Sequence, residues 1–327
     1  MGHCDMPETP GGRAPGTQTR ENRRVPELPE VEALTSFVAA RTKGRVVVRC
    51  ELAAIAALKT VHPALDTLVG REVGGCERRG KYLCTFFTSP GGADRGVGPT
   101  NAGRDRLWLV VHLARGGWIK WWDHLPETKA RPTRSPVALR VGLDDGSGFD
   151  ITEMGTEKRL ALWVVHSPTD IGAVAGLGVE PLDPAFDEAV LARIAAAETG
   201  TVKTMLASQS VIAGVGNAYS DEVLHVARLS PFKRAASLKP DEVSRLHGAL
   251  VGVLSEAVGR AAGNDAAALK AQKRNSMRVH GRRGEPCPEC GDVIREVSFA
   301  NRSLQYCATC QTGGKPLADR RLSRLVK

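Results

Sequence analysis

Two cysteine pairs, Cys287-x2-Cys290 and Cys307-x2-Cys310, with sixteen residues between them, constrain this chain more than any other feature. That spacing fits a structural zinc site whose middle is a β-hairpin; the competing reading is a pair of disulfides. Four thiolates close a tetrahedral zinc, so the metal holds a fold together and does no chemistry. The hairpin carries Arg302. From residue 267 to 327 there are thirteen Lys or Arg against five Asp or Glu, nearly all of the chain's net charge of +9. A basic zinc hairpin points to nucleic acid, and the plainer alternative is a ribbon that only caps the chain.

At 327 residues the chain is long enough for two or three domains, each with its own core. Only 5% of residues are aromatic, which favours a surface that tracks phosphates over a platform that stacks bases. No apolar run is long enough to span a bilayer, and the N-terminus lacks an apolar signal region. Cys4, Cys50, Cys76 and Cys84 are scattered without pair spacing and read as free thiols in a reducing compartment. The expectation is a cytoplasmic monomer.

Residues 1–25 are rich in Gly, Pro and charge and too poor in apolar groups to offset ordering, so a disordered leader is expected. From Glu30 the positions Val31, Leu34, Phe37 and Val38 recur at helical spacing, with Gly44 as a stop. Short β-branched or aromatic segments then begin at 45, 81, 107, 117, 137 and 149, separated by turn residues. They predict an antiparallel β-sandwich or barrel over 26–184, with residues 88–105 as an inserted loop. After Pro184 the pattern turns helical over 186–198, 203–209, 217–228 and 240–261. A helical domain over 185–280, the zinc hairpin over 281–311 and a basic tail over 312–327 complete a multidomain α+β chain. Between two of the helices, Gly214-Val215-Gly216-Asn217 runs into a helix start whose free N–H groups could receive a phosphate or could reflect tight packing.

Before the first helix stands Val25-Pro26-Glu27-Leu28-Pro29-Glu30-Val31-Glu32, which alone reads as an extended lead-in with acidic residues at a helix start. Together with the Gly-Val-Gly-Asn turn and the cysteine hairpin ending Cys307-Ala308-Thr309-Cys310-Gln311, it resembles the formamidopyrimidine-DNA glycosylase and endonuclease VIII family over residues 26 to 311. The resemblance implies a β-sandwich, a helix-two-turn-helix domain and a zinc hairpin, with damaged double-stranded DNA in the cleft between. It implies that Pro26, as a free N-terminal amine, attacks C1′ of the damaged nucleoside and forms an imine, with Glu27 as acid and base. An α-amino group titrates near neutrality, so a useful fraction is neutral at physiological pH. Lys81 matches a lysine that contacts phosphate beside the lesion, and Lys203, Asn217 and Arg302 match positions that hold phosphates around the everted nucleotide. Tyr219 and Glu222 read as packing and helix support. The implied setting is the bacterial nucleoid.

Base eversion needs a wedge to fill the vacated stack. Here the sequence departs from the family: the His-Leu-Gly-Met pattern reads His112-Leu113-Ala114-Arg115, and the Arg-Arg-Phe-Gly turn reads Lys158-Arg159-Leu160-Ala161. The hole-filling roles fall to Arg115, Lys158 and Leu160. The stretch from Leu269 to Arg282 is shorter than in formamidopyrimidine glycosylases, where a loop covers 8-oxoguanine, which favours oxidised pyrimidines and abasic sites. Pro26 is also not residue 1. With Val25 attached its nitrogen is an amide without a free lone pair; valine's GTG codon is also a bacterial start, so translation from position 25 would expose Pro26. A non-catalytic lesion binder that kept the fold is the alternative, and an RNA or ribosome-associated factor explains the charge but not Pro26, Glu27 and Lys81.

Overall fold

The computed structural model describes residues 25–90, 106–131, 136–155, 157–298 and 303–318. The leader up to residue 24, most of the loop expected at 88–105, Arg302 and the end of the basic tail lie outside the described residues.

Helix α1 (Leu28–Thr42) opens the described chain, with Pro29 in its first turn and the Glu30 carboxylate accepting the Glu27 N–H at 2.8 Å. Eight strands follow: β1 (Val47–Leu52), β2 (Glu72–Arg79), β3 (Tyr82–Thr88), β4 (Leu107–His112), β5 (Gly117–Trp122), β6 (Val137–Leu143), β7 (Gly148–Glu153) and β8 (Ala161–Val165). They form two antiparallel four-stranded sheets in the orders β1-β6-β7-β5 and β2-β3-β4-β8. Alternation along β3 sends Leu83 and Phe87 into the core between the sheets and Cys84 and Phe86 to the other face. β2 carries Gly74 and Gly75 where a Cβ would lie 2.2 and 2.9 Å from the Phe86 ring of β3, so the glycines make room for that ring.

The remaining helices are α2 (Gly172–Ala175), α3 (Glu188–Ala197), α4 (Val202–Ala207), α5 (Asn217–Val226), α6 (Pro240–Ala261) and α7 (Leu269–Ser276). α6 buries Val243, Leu246, Leu250, Leu254 and Ala257 on one stripe, as its periodicity requires. The hairpin β9 (Ile294–Ser298) and β10 (Ser303–Cys307) pairs Ser298 with Ser303 through Ile294 with Cys307, and α8 (Ala308–Thr312) follows it.

The two main cores cross the domain boundary expected near residue 184. Leu28 belongs to the helical core, while Val31, Leu34 and Val38 of the same helix belong to the sandwich core. Conversely, Ala261, Ala266 and Leu269 pack into the sandwich, and the Trp118 indole N–H donates to the Ala266 carbonyl at 2.7 Å. Arg78 of β2 binds Glu32 of α1 at 2.7 Å and Glu180 of the connecting segment at 2.8 Å. Among the described residues no helix is long and apolar enough to cross a membrane.

Candidate active site

The site lies where α1 meets the start of α5. Glu27 is 3% exposed, and its carboxylate accepts the N–H groups of Gly216 at 2.6 Å, Ala218 at 2.9 Å and Tyr219 at 3.3 Å. The positive end of a helix dipole and its unpaired N–H groups are thereby occupied by a carboxylate of the chain itself. Of the two readings of the Gly214-x-Gly216 turn, this geometry favours packing over phosphate, because the N–H groups of Gly216, Ala218 and Tyr219 are held by Glu27. Gly214 has φ +82°, and its carbonyl accepts the Leu28 N–H at 3.0 Å. At Gly216 a Cβ would meet both the Glu27 carboxyl carbon and the Lys81 Nζ at 2.6 Å, so these two side chains converge on the glycine. Lys81 is delivered by the tight turn between β2 and β3, with Gly80 at φ +53° in front of it.

Burial alone would raise the pKa of Glu27, but the charges of Lys273 and Lys81, the Ala218 N–H and His280 outweigh it and hold the group below the usual carboxylate value. His112, across from Lys81, is pushed down to about 4 by burial and by the Lys81 charge, so its ring is neutral at physiological pH. Pro26 is buried beside this cluster with Val25 still joined to its nitrogen.

The second carboxylate of the motif, Glu30, is 4% exposed and gathers three donors: the Glu27 N–H at 2.8 Å, the Tyr219 hydroxyl at 2.7 Å and the Lys273 ammonium at 2.6 Å. Tyr219 therefore does more than pack. Glu222 accepts N–H groups from Arg278, Val279 and His280 between 2.7 and 2.9 Å and anchors the segment that leads to the zinc hairpin.

Two expected DNA contacts change role. Lys203 is 8% exposed, and its three ammonium protons meet the Asn217 carbonyl at 2.8 Å, the Ser220 hydroxyl at 2.7 Å and Asp221 at 2.6 Å. An ammonium has three donors, so none is left for a phosphate. Lys203 instead ties α4 to α5, with His280 on the other oxygen of Asp221 at 2.7 Å. Leu160 is 2% exposed inside the sandwich core and is withdrawn as a wedge, because a buried core side chain is not presented to a base stack. Arg115 and Lys158 are exposed, and Lys158 donates to the Glu153 carbonyl at 2.6 Å. The sequence reading passed over Met154, which is 58% exposed and hydrogen-bonded through its N–H to Gly116, next to Arg115, at 2.9 Å. Its signal was an apolar residue in the extra segment between β7 and the Lys158-Arg159 turn. Ala114, in the glycine position before Arg115, holds φ +50°.

Asn217 donates to the carbonyl of Ser303 on β10 at 2.7 Å, so the start of α5 and the hairpin are one unit. Arg302, the neighbour of Ser303, lies outside the described residues. The sulfur atoms of Cys287, Cys290, Cys307 and Cys310 all lie within 4.8 Å of one another. Cys287 and Cys310 are 3.9 Å apart and Cys290 and Cys307 3.3 Å apart. A disulfide needs about 2.05 Å, whereas the edge of a tetrahedron with Zn–S near 2.3 Å is about 3.8 Å. The donor set fits a structural zinc. His225 on α5 sits 3.2 Å from the Cys287 sulfur, an outer partner suited to a thiolate ligand.

Comparison with known proteins gives a consistent picture. Profiles of the formamidopyrimidine-DNA glycosylase N-terminal domain, the formamidopyrimidine-DNA glycosylase H2TH domain and a zinc finger found in FPG and IleRS match residues 25–155, 177–267 and 284–313. The formamidopyrimidine-DNA glycosylase of Symbiobacterium thermophilum is 34% identical over 88% of this chain and 89% of its own length. An uncharacterized formamidopyrimidine-DNA glycosylase-like protein of Mycobacterium tuberculosis is 57% identical over 46% of this chain and 94% of its own length. In fold, the chain is similar to the Lactococcus lactis formamidopyrimidine-DNA glycosylase solved on DNA containing an abasic site, with TM-score 0.71 and 24% identity over 88% of this chain and 99% of that one.

Proposed function

The chain belongs to the formamidopyrimidine-DNA glycosylase family and acts as a DNA glycosylase in base-excision repair, and on that premise we propose that it is bifunctional, with an abasic-site lyase step run through Pro26. The observation that carries this reading is the convergence of Glu27 and Lys81 on Gly216 immediately beside Pro26. Glu27 is seated as a carboxylate, so it can take the proton that the Pro26 amine loses as its nitrogen bonds to C1′. The base leaves with the glycosidic bonding pair. Glu27 passes its proton to O4′ as the sugar ring opens, leaving an iminium between C1′ and the proline nitrogen. Loss of a C2′ proton then expels the 3′ phosphate and cuts the strand. Lys81 supplies positive charge at the phosphate flank.

The same reading gives Arg115 and Met154, which flank Gly116 on the exposed edge, the task of filling the stack after eversion. A preference for oxidised pyrimidines over 8-oxoguanine rests on the short stretch from Leu269 to Arg282, in which α7 packs Lys273 directly on Glu30 and Tyr219. Cys287, Cys290, Cys307 and Cys310 hold one zinc per chain, which supplies rigidity to the hairpin that presents Arg302 to phosphate. The protein works as a monomer on damaged duplex DNA.

The test is borohydride trapping on abasic duplex DNA with the full chain and with a form beginning at Pro26. The form beginning at Pro26 forms the covalent adduct, and the full chain does so only after processing, because Val25 acylates the nucleophile. An N-terminal mass spectrum of protein from its native cell identifies which form exists. An intact leader with no trapping by either form replaces this reading with the non-catalytic lesion binder.

A further inference from the structure

Lys273 belongs to no motif described above, yet it is among the most enclosed cations of the described chain, with its side chain 4% exposed. α7 places its ammonium 2.6 Å from Glu30, 3.4 Å from the Val25 carbonyl and 4.7 Å from the centre of the Tyr219 ring. The Val25 carbonyl is the other half of the peptide bond to the Pro26 nitrogen. Removal of residues before Pro26 therefore takes away an acceptor of Lys273 and leaves that donor turned toward a free amine. On the other side, Glu30 accepts the N–H of Glu27, the residue directly after Pro26. A buried carboxylate in that position, left alone, would stabilise a protonated Pro26, and a protonated amine has no lone pair for C1′.

We propose that Lys273 is a positioning residue of the reaction: its ammonium neutralises Glu30 beside Pro26, so that Glu30 does not hold the proline nitrogen as an ammonium ion. The proposal rests on the Pro26 reading given above and adds to it the residue that sets the nucleophile's charge state. Around Glu27, the residue joined to Pro26, lie the charges of Lys273 on α7, Lys81 on the β2–β3 turn and His280 beyond α7, while Tyr219 of α5 feels Glu30, Glu27 and Arg260 of α6. Of the cations among these, Lys273 is the one in direct contact with Glu30. Its charge also does the most to favour the carboxylate form of Glu27, so one side chain serves both reacting groups.

The experiment is the pH dependence of the borohydride-trapping rate on abasic DNA, using the form that begins at Pro26, which retains every helix and strand among the described residues. The rate rises with pH as the amine loses its proton. Lys273→Met should move that rise to higher pH by about one unit, Glu30→Gln should move it to lower pH, and Lys273→Arg should leave it in place. Because Lys273→Met strands a buried carboxylate and can fail to fold, the double variant Lys273→Met with Glu30→Gln is included; it should return the rise to near its original pH. A purely structural role lowers the rate in each variant without displacing the profile. Coincident profiles for Glu30→Gln, the double variant and the unsubstituted protein would overturn the proposal. No trapping by the unsubstituted protein would overturn the Pro26 reading itself, and the proposal with it.

Discussion

The carboxylate of Glu27 receives the backbone N–H of Gly216 at 2.6 Å, a bond between residues 189 positions apart that joins the first turn of the described chain to the start of α5. It makes the helical domain a structural part of the proposed acid and base group.

Glu27 titrates below its ordinary value in the folded protein, so it contributes stability that is present above pH 4.5 and is lost as pH falls through the folded pKa. Glu27→Gln should remove that dependence, flattening the fall of Tm as pH drops below about 4.5. It should also slow the lyase step by about 100-fold or more, read by single-turnover cleavage of abasic DNA.

Lys203→Met should unfold more easily by about 3 to 5 kcal/mol, because it leaves Asp221, buried at 1% exposure, without its ammonium partner. Denaturant melts measure this. The salt slope of DNA binding should keep its value, since no phosphate contact is lost; a slope reduced by about one would return Lys203 to the DNA surface.

Leu160→Ala should cost about 2 to 5 kcal/mol of stability, as for a leucine truncated in a packed core. Arg115→Ala and Met154→Ala should leave stability within about 0.5 kcal/mol, because both side chains are exposed. They should instead lower the fluorescence signal of an eversion probe placed opposite the lesion. Unchanged eversion in the double variant removes these two residues from the wedge.

Cys310→Ser should lose zinc, by elemental analysis, together with DNA affinity, because Asn217 on α5 is bonded to Ser303 of the hairpin that the metal holds. Arg302→Ala should retain zinc while weakening binding by about 1.5 to 3 kcal/mol and lowering the salt slope by about one. Stoichiometric zinc in Cys310→Ser would show that other ligands hold the metal.

Much of this fold was legible because its signals are local. The cysteine spacing, the period of β3 and the stripe on α6 are each carried by neighbouring residues, and so were their elements. β2 was missed because Gly74 and Gly75 weaken strand character, and their reason is the Phe86 ring across the sheet. α7 was missed because Leu269-Lys270-Ala271-Gln272-Lys273-Arg274-Asn275-Ser276 has no apolar stripe; what places it is Leu269 in the sandwich core. Within the site, the family resemblance pointed to Glu27 and Lys81, but a lysine's role depends on who takes its protons. Lys203 gives no sign of burial in sequence, because its partner Asp221 lies eighteen positions downstream. Lys273 carried no signal, since its partner Glu30 is 243 positions away.

α1 spans both cores, with Leu28 in one and Val31 in the other, while Glu27 sits on α5. A cleft that opens by parting α1 from α5 must therefore pull the carboxylate off its N–H seat. A carboxylate held in this way keeps its seat only while α1 and α5 stay packed together.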